Sequence, residues 1–117
     1  MQDLRVSLIQ ADTIWHDPGA NRRMYGEMMA PLSGCTDLIV LPETFTSGFS
    51  TEALSTAEGM DGPTVQWLRE QAQKLGAVVT GSVQIRDGAS VYNRLLWATP
   101  DGELVHYENR WAHQHRA

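Results

Sequence analysis

The chain has 117 residues, 42% hydrophobic and 20% charged, with Lys+Arg 9 against Asp+Glu 14 and a formal net charge of −5. Its length suits one ordinary domain, and its composition is that of a soluble globular protein. The acidic balance argues against nucleic-acid binding, which needs clustered Lys and Arg, and a single lysine, Lys74, excludes a polybasic membrane patch.

No apolar run is long enough to span a bilayer. The opening residues Met1 to Arg5 show no basic stretch followed by an apolar one, so the expected location is cytoplasmic. One cysteine, Cys35, leaves no internal disulfide framework and no Cys-rich zinc site. No histidine lies near it in the sequence to activate the thiol. It is therefore read as a small, partly buried filler rather than a nucleophile.

Residues 4–10 are short, apolar-rich and stopped by Ala11-Asp12, which predicts a first strand. Asp17-Pro18 sets a capping residue beside a proline suited to a first helical turn. The helix this opens runs to Leu32, with Met24, Met28 and Leu32 expected on its buried face, and Ser33-Gly34 ends it. Leu38–Leu41 is brief and continuously apolar, the pattern of a parallel strand covered on both faces. Residues 44–63 are rich in Ser, Thr and Gly and read as a long, functional loop. From Thr64 to Leu75 a second helix is predicted, with Val65, Leu68, Ala72 and Leu75 inward and Gly76 as its stop. Strands follow at 77–85, 91–99 and 103–107, joined by Gly-containing turns at Gly88 and Gly102. The order β-α-β-loop-α-β-β-β predicts an α/β fold, a mixed sheet with helices on one face. A flavodoxin-like ligand binder is set aside, because residues 11–15 after the first strand lack a Gly-rich phosphate turn.

Glu43 follows an apolar strand directly, and in open α/β sheets ligands gather beyond the carboxyl ends of strands. A carboxylate held there by Pro42 and partly desolvated would suit a general base. A loop carboxylate facing water, or an N-cap, fits the same position. Position alone leaves both readings standing.

The surrounding residues add a resemblance. Leu41-Pro42-Glu43-Thr44-Phe45-Thr46-Ser47-Gly48-Phe49 resembles the glutamate motif of the nitrilase superfamily of carbon–nitrogen hydrolases, and its Thr-Ser-Gly-Phe continuation is similar to the omega-amidase branch. Further pieces agree in order: the opening strand ending at Gln10, Trp15-His16-Asp17-Pro18 before Asn21, and Met60-Asp61-Gly62-Pro63 before the second helix. Gly81-Ser82, Tyr92-Asn93-Arg94 and Thr99-Pro100-Asp101-Gly102 complete the set. The resemblance covers residues 1–108 and marks them as part of a carbon–nitrogen hydrolase domain, with 109–117 as an unrelated, disordered tail.

What the resemblance implies is the N-terminal half of an α-β-β-α sandwich and a Glu-Lys-Cys triad, acting on small α-keto acid amides without metal or organic cofactor. The glutamate, here Glu43, is the base, the lysine stabilises the oxyanion, and the cysteine forms a thioester. A thiol needs a base to take its proton, and the oxyanion needs a fixed donor in a dry site. Only Glu43 is present: Asn109 stands at the lysine position, followed by the matching Arg110, and Cys35 lies at the wrong end of its strand to be the nucleophile. His113 and His115 form a pair too thin for a metal site without a further ligand.

Two readings follow. In one, the chain is a truncated omega-amidase-like hydrolase whose 117 residues alone are inactive. In the other it is a non-catalytic fragment or interaction module, such as the product of a frameshift near codon 109, which the downstream DNA in the other two frames would reveal. A half-sandwich should leave one sheet face apolar and uncovered, inviting homo-oligomer formation or aggregation.

Overall fold

The computed structural model describes residues 3–48, 55 and 57–108. Five strands form one sheet in sequential order. They are β1 (Val6–Leu8), β2 (Leu38–Val40), β3 (Val78–Asp87), β4 (Ser90–Ala98) and β5 (Leu104–Glu108). The first three run parallel, and β3, β4 and β5 form an antiparallel meander. Helix α1 (Pro18–Met29) makes the crossover from β1 to β2, and α2 (Pro63–Leu75) makes the crossover from β2 to β3. The predicted α/β mixed sheet with helices on one face is what the chain forms.

Local chemistry accounts for the helix ends. Asp17 Oδ1 accepts from Ala20 N–H at 3.1 Å, satisfying one orphan donor of α1, and Pro18 follows at the first helical position. Helix α1 then tightens into a 3-10 turn, Ala30–Leu32, because Pro31 cannot continue the α-helical hydrogen bonding. Helix α2 stops at Gly76, whose φ of 68° lies in the left-handed region that glycine enters without penalty.

The core lies between the helices and one face of the sheet. From α2 it takes Val65, Leu68, Ala72 and Leu75, the predicted stripe. From α1 it takes Tyr25 and Met29, with Asn21 on the same line. The stripe expected there is off by one residue. Met24 and Leu32 pack at the margin of the core, and Met28 is exposed. Methionine spacing alone pointed about 100° away from the face that Tyr25 and Asn21 occupy. The sheet contributes Ile39, Val79, Val83, Ile85, Leu96 and Ala98.

On the opposite face, no described residue covers the apolar side chains of β1 and of the β4–β5 pair. The register puts Val6 and Leu8 beside Leu38 and Val40, and Trp97 and Leu95 opposite Val105 and Tyr107. Leu8 is 74% exposed and Tyr107 68%, against 0% for Ile39 on the helix side. The expectation that β2 is covered on both faces is therefore corrected: Ile39 is buried, while Leu38 and Val40 are only half-buried because no second layer lies over them among the described residues.

At its outer end the parallel pair β1–β2 is tied by a charged fork. Arg5 Nη2 and Nε meet the Asp37 carboxylate at 3.1 and 3.3 Å, and Arg5 N–H donates to it at 2.8 Å. The side-chain hydrogen bond from Arg5 is the main cause that holds the Asp37 carboxyl below its ordinary value of 3.8. Cys35, just before this fork, is exposed rather than partly buried. It sits in the turn that Gly34 makes at φ 76°, outside the helix–sheet layer.

Candidate active site

The carboxyl end of β2 carries Pro42, Glu43 and a tight turn through Gly48. Leu41 N–H still bonds Thr80 O at 2.8 Å, so the chain leaves the sheet only after Leu41. Thr44, next to Glu43, has φ 46°. A β-branched residue in the left-handed region costs on the order of 1–3 kcal/mol, so the surroundings must over-determine it.

They do so from four sides. Thr44 N–H donates to Ser82 Oγ at 2.8 Å, and Phe45 N–H to Ser82 O at 3.3 Å, so β3 pins the turn beside Glu43. Gly48 and Ser47 N–H both return to Thr44 O, at 2.9 and 3.1 Å. The Asn21 carboxamide donates to Thr46 O at 2.8 Å and Ile14 O at 2.6 Å, and accepts from Ile14 N–H at 2.7 Å. His16 N–H bonds Ser47 O at 2.9 Å.

Packing adds the rest. Phe45 is fully buried, edge-on to Tyr25 at 5.8 Å and beside Trp67 at 5.7 Å. Gly81 makes room for it, since a Cβ there would stand 3.0 Å from both Leu41 Cβ and Phe45 Cδ1. The Trp15 ring lies over Gly48, 3.4 Å from where a Cβ would stand. The motifs picked out along the sequence thus converge: the Trp15-His16 segment, Asn21 and Gly81-Ser82 all hold the glutamate turn.

Glu43 itself is exposed. The partial desolvation expected of it is therefore not met in this structure. Thr44 and the four residues after it are buried, so the carboxylate projects from a rigid, sequestered backbone. Asn109, Arg110, His113 and His115 lie outside the described residues; β5 ends at Glu108, immediately before the lysine position. Cys35 precedes β2 and Glu43 follows it, so the strand separates the two, as the order of the chain required.

Sequence reasoning missed a second polar knot. Glu58 accepts from Thr64 N–H at 2.8 Å and Thr64 Oγ1 at 2.6 Å, capping α2, and Arg22 Nη1 reaches the same carboxylate at 3.4 Å and Thr64 Oγ1 at 2.9 Å. Its backbone bonds to β3 through Gln84 O and Arg86 N–H. The spacing from Glu58 to Thr64 is not that of a standard helix cap, so no local signal announced it.

A structurally pinned glutamate beyond a parallel strand, in a sheet with one uncovered face, is the arrangement of one half of an α-β-β-α hydrolase. A family model for carbon-nitrogen hydrolases matches residues 5–116. The chain belongs to the carbon-nitrogen hydrolase family. Among curated proteins it is 36% identical over 110 residues to an omega-amidase of Escherichia coli K12, covering 94% of this chain and 42% of that protein. It is 33% identical over 110 residues to the 2-oxoglutaramate amidase of Bacillus subtilis, covering 92% of this chain and 42% of the relative. Among solved structures, a CN-hydrolase superfamily protein from Xanthomonas campestris, with an arsenic adduct in its active site, is 58% identical. It superposes at a TM-score of 0.91, covering 98% of this chain and 45% of that one. A Saccharomyces cerevisiae member of the nitrilase superfamily shares the fold, with a TM-score of 0.80 at 24% identity over 91% of this chain and 44% of its own. The chain therefore spans about two fifths of the length of the curated relatives it matches.

Proposed function

We propose that these residues supply the general base of an omega-amidase-like reaction, the hydrolysis of a small α-keto acid amide to its acid and ammonia. The observation that carries this is the glutamate turn: Glu43 follows a strained Thr44 that Ser82, Asn21 and Phe45 hold in place. Strain of this kind marks sites where a side chain is aimed for chemistry. The similarity to omega-amidases and to a 2-oxoglutaramate amidase supports the substrate class. Glu43 takes the proton of a thiol nucleophile and returns it to the leaving ammonia. A cytoplasmic setting suits such a reaction.

These 117 residues alone do not turn over substrate under this reading, because Asn109 replaces the charged oxyanion donor and no cysteine stands near Glu43. An asparagine amide donates hydrogen bonds without charge, and loss of an oxyanion donor costs about 10²–10³ in kcat. Setting 109–117 apart as a tail rests on the lost motif at Asn109; the family match continues into those residues and favours counting them with the domain.

The test is a chimera in which residues 1–108 replace the corresponding part of the Bacillus subtilis 2-oxoglutaramate amidase, assayed for ammonia release from 2-oxoglutaramate beside the 117-residue chain. An active chimera and a silent chain are expected. Ammonia from the chain alone would overturn its dependence on the missing groups, and a folded but inactive chimera would overturn the substrate class. The uncovered apolar face favours a second reading, an interaction module, for which size-exclusion chromatography of the chain would show a defined oligomer.

A further inference from the structure

Helices α1 and α2 leave an open groove of about 320 Å³ between them, a size at which small-molecule sites begin. The helices run in step. Arg22 Nη1 donates to Thr64 Oγ1 at 2.9 Å near their starts, and Gly34 N–H donates to Leu75 O at 3.4 Å past their ends. Half-buried Trp67 forms one wall of the groove. Gly26 keeps the facing wall low: a Cβ there would already touch the indole at 3.8 Å, and a longer side chain would fill the space.

The charges along this groove run against those of the chain. The net charge is −5, yet three of the nine Lys and Arg residues line this one concavity. Arg22 Nη1 is taken by Glu58 and Thr64. Arg22 Nη2 and Arg23 Nη1 instead converge on Gly19, 3.9 and 3.6 Å from where a Cβ would stand. Asp17 Oδ1 is also 3.9 Å from that point, and it is engaged by Ala20 N–H. At the far end stands Lys74, about 10 Å along α2 from Trp67. Side chains on a helix lean toward its N-terminus, which carries the Lys74 stem into the groove. Glu27 lies between the two ends, one turn past Arg23. Arg23, Glu27 and Lys74 are exposed, and none has an ion-pair partner among the described residues.

A cation at each end, a carboxylate between them and an aromatic wall define the complement by charge. It carries an acidic group at each end, a cationic group between and a short apolar stem. Complementarity of this kind chooses the ligand more than it sets the affinity. We propose that the groove between α1 and α2 binds a free acidic α-amino acid. One carboxylate lies at the Arg22–Arg23 end and the other on Lys74, with the ammonium at Glu27 and the methylenes against Trp67. The proposal is independent of the amidase reading, since it uses neither Glu43 nor the turn that holds it.

The experiment titrates L-glutamate into the full 117-residue chain at low salt while NMR follows the indole N–H of Trp67, assigned with Trp67→Phe. A saturable shift is expected. Affinity should fall about fivefold for glutarate, which lacks the ammonium, and for L-glutamine, which lacks one carboxylate, the effect of one exposed ion pair. Lys74→Gln and Glu27→Gln should each weaken L-glutamate to a similar extent and leave the melting temperature within a few degrees, because both side chains are exposed. Raising salt to about 0.15 M should weaken binding further. No saturable shift, equal affinity for glutarate or L-glutamine, or full affinity in both charge variants would overturn the site. No turnover is read, so failure here leaves the chimera assay standing, and an inactive chimera leaves this titration standing.

Discussion

Replacing Asn21 with alanine should unfasten the glutamate turn from helix α1, and the structure sets the size of the effect. Asn21 is fully buried and makes three hydrogen bonds, to Ile14 N–H, Ile14 O and Thr46 O, all between 2.6 and 2.8 Å. Each is worth about 1 kcal/mol net, and the substitution leaves backbone partners of those bonds without the carboxamide that satisfied them. The sum is about 3 kcal/mol. For a chain of this size, 1 kcal/mol moves the melting temperature by about 3–5 °C, so Asn21→Ala should melt about 10–15 °C lower. Thermal melts by circular dichroism test this, with urea unfolding as the companion: the midpoint should fall by about 1.5 M while the slope stays near that of the parent. A drop of under about 3 °C would refute the reasoning, since it would mean water replaces the carboxamide at no cost and Asn21 does not over-determine the turn.

Other expectations follow from single contacts. Gly81→Ala should cost about 1–3 kcal/mol, because its Cβ would press on Leu41 and Phe45, both confined in the core; urea titration measures it. The Asp37 carboxyl is held below its ordinary value chiefly by the Arg5 side chain, so the fork stabilises the fold at pH above the unfolded value of 3.8 and loses that contribution as pH falls through the lower folded value. Asp37→Asn should therefore flatten the acid limb of the melting temperature against pH between about pH 5 and 2, leaving the alkaline side unchanged. On the uncovered face, Trp97→Gln with Val105→Lys should reduce self-association in sedimentation velocity and leave the melting temperature within a few degrees, because both side chains are well exposed.

How far the sequence told the fold depended on whether a signal was local. Helix α2 was legible to within one residue, starting at Pro63 rather than Thr64, since a four-residue apolar stripe and a stop glycine are both encoded at its face and end. The hairpins were equally plain from Gly88 and Gly102, each at positive φ. Helix α1 misled by one position, because its buried line runs through a polar residue, Asn21, whose burial is justified only by carbonyls of Ile14 and Thr46 that meet it in three dimensions. Glu58 was silent for the same reason: its cap on α2 and its bridge to β3 depend on distant partners. Glu43 was singled out by position and motif. Position left its exposure open between a desolvated base and a carboxylate facing water, and the structure has it exposed, because desolvation is no property of the strand before it.

The central claim is that Glu43 is the base of an amidase site whose backbone is already built in this half. The most direct measurement is the effect of Glu43→Gln on ammonia release in the chimera with the Bacillus subtilis 2-oxoglutaramate amidase, with folding checked by melting temperature. A general base contributes about 10²–10⁴ in rate, so kcat should fall at least a hundredfold while the melting temperature stays within a few degrees. A folded Glu43→Gln chimera that kept its kcat would contradict the account.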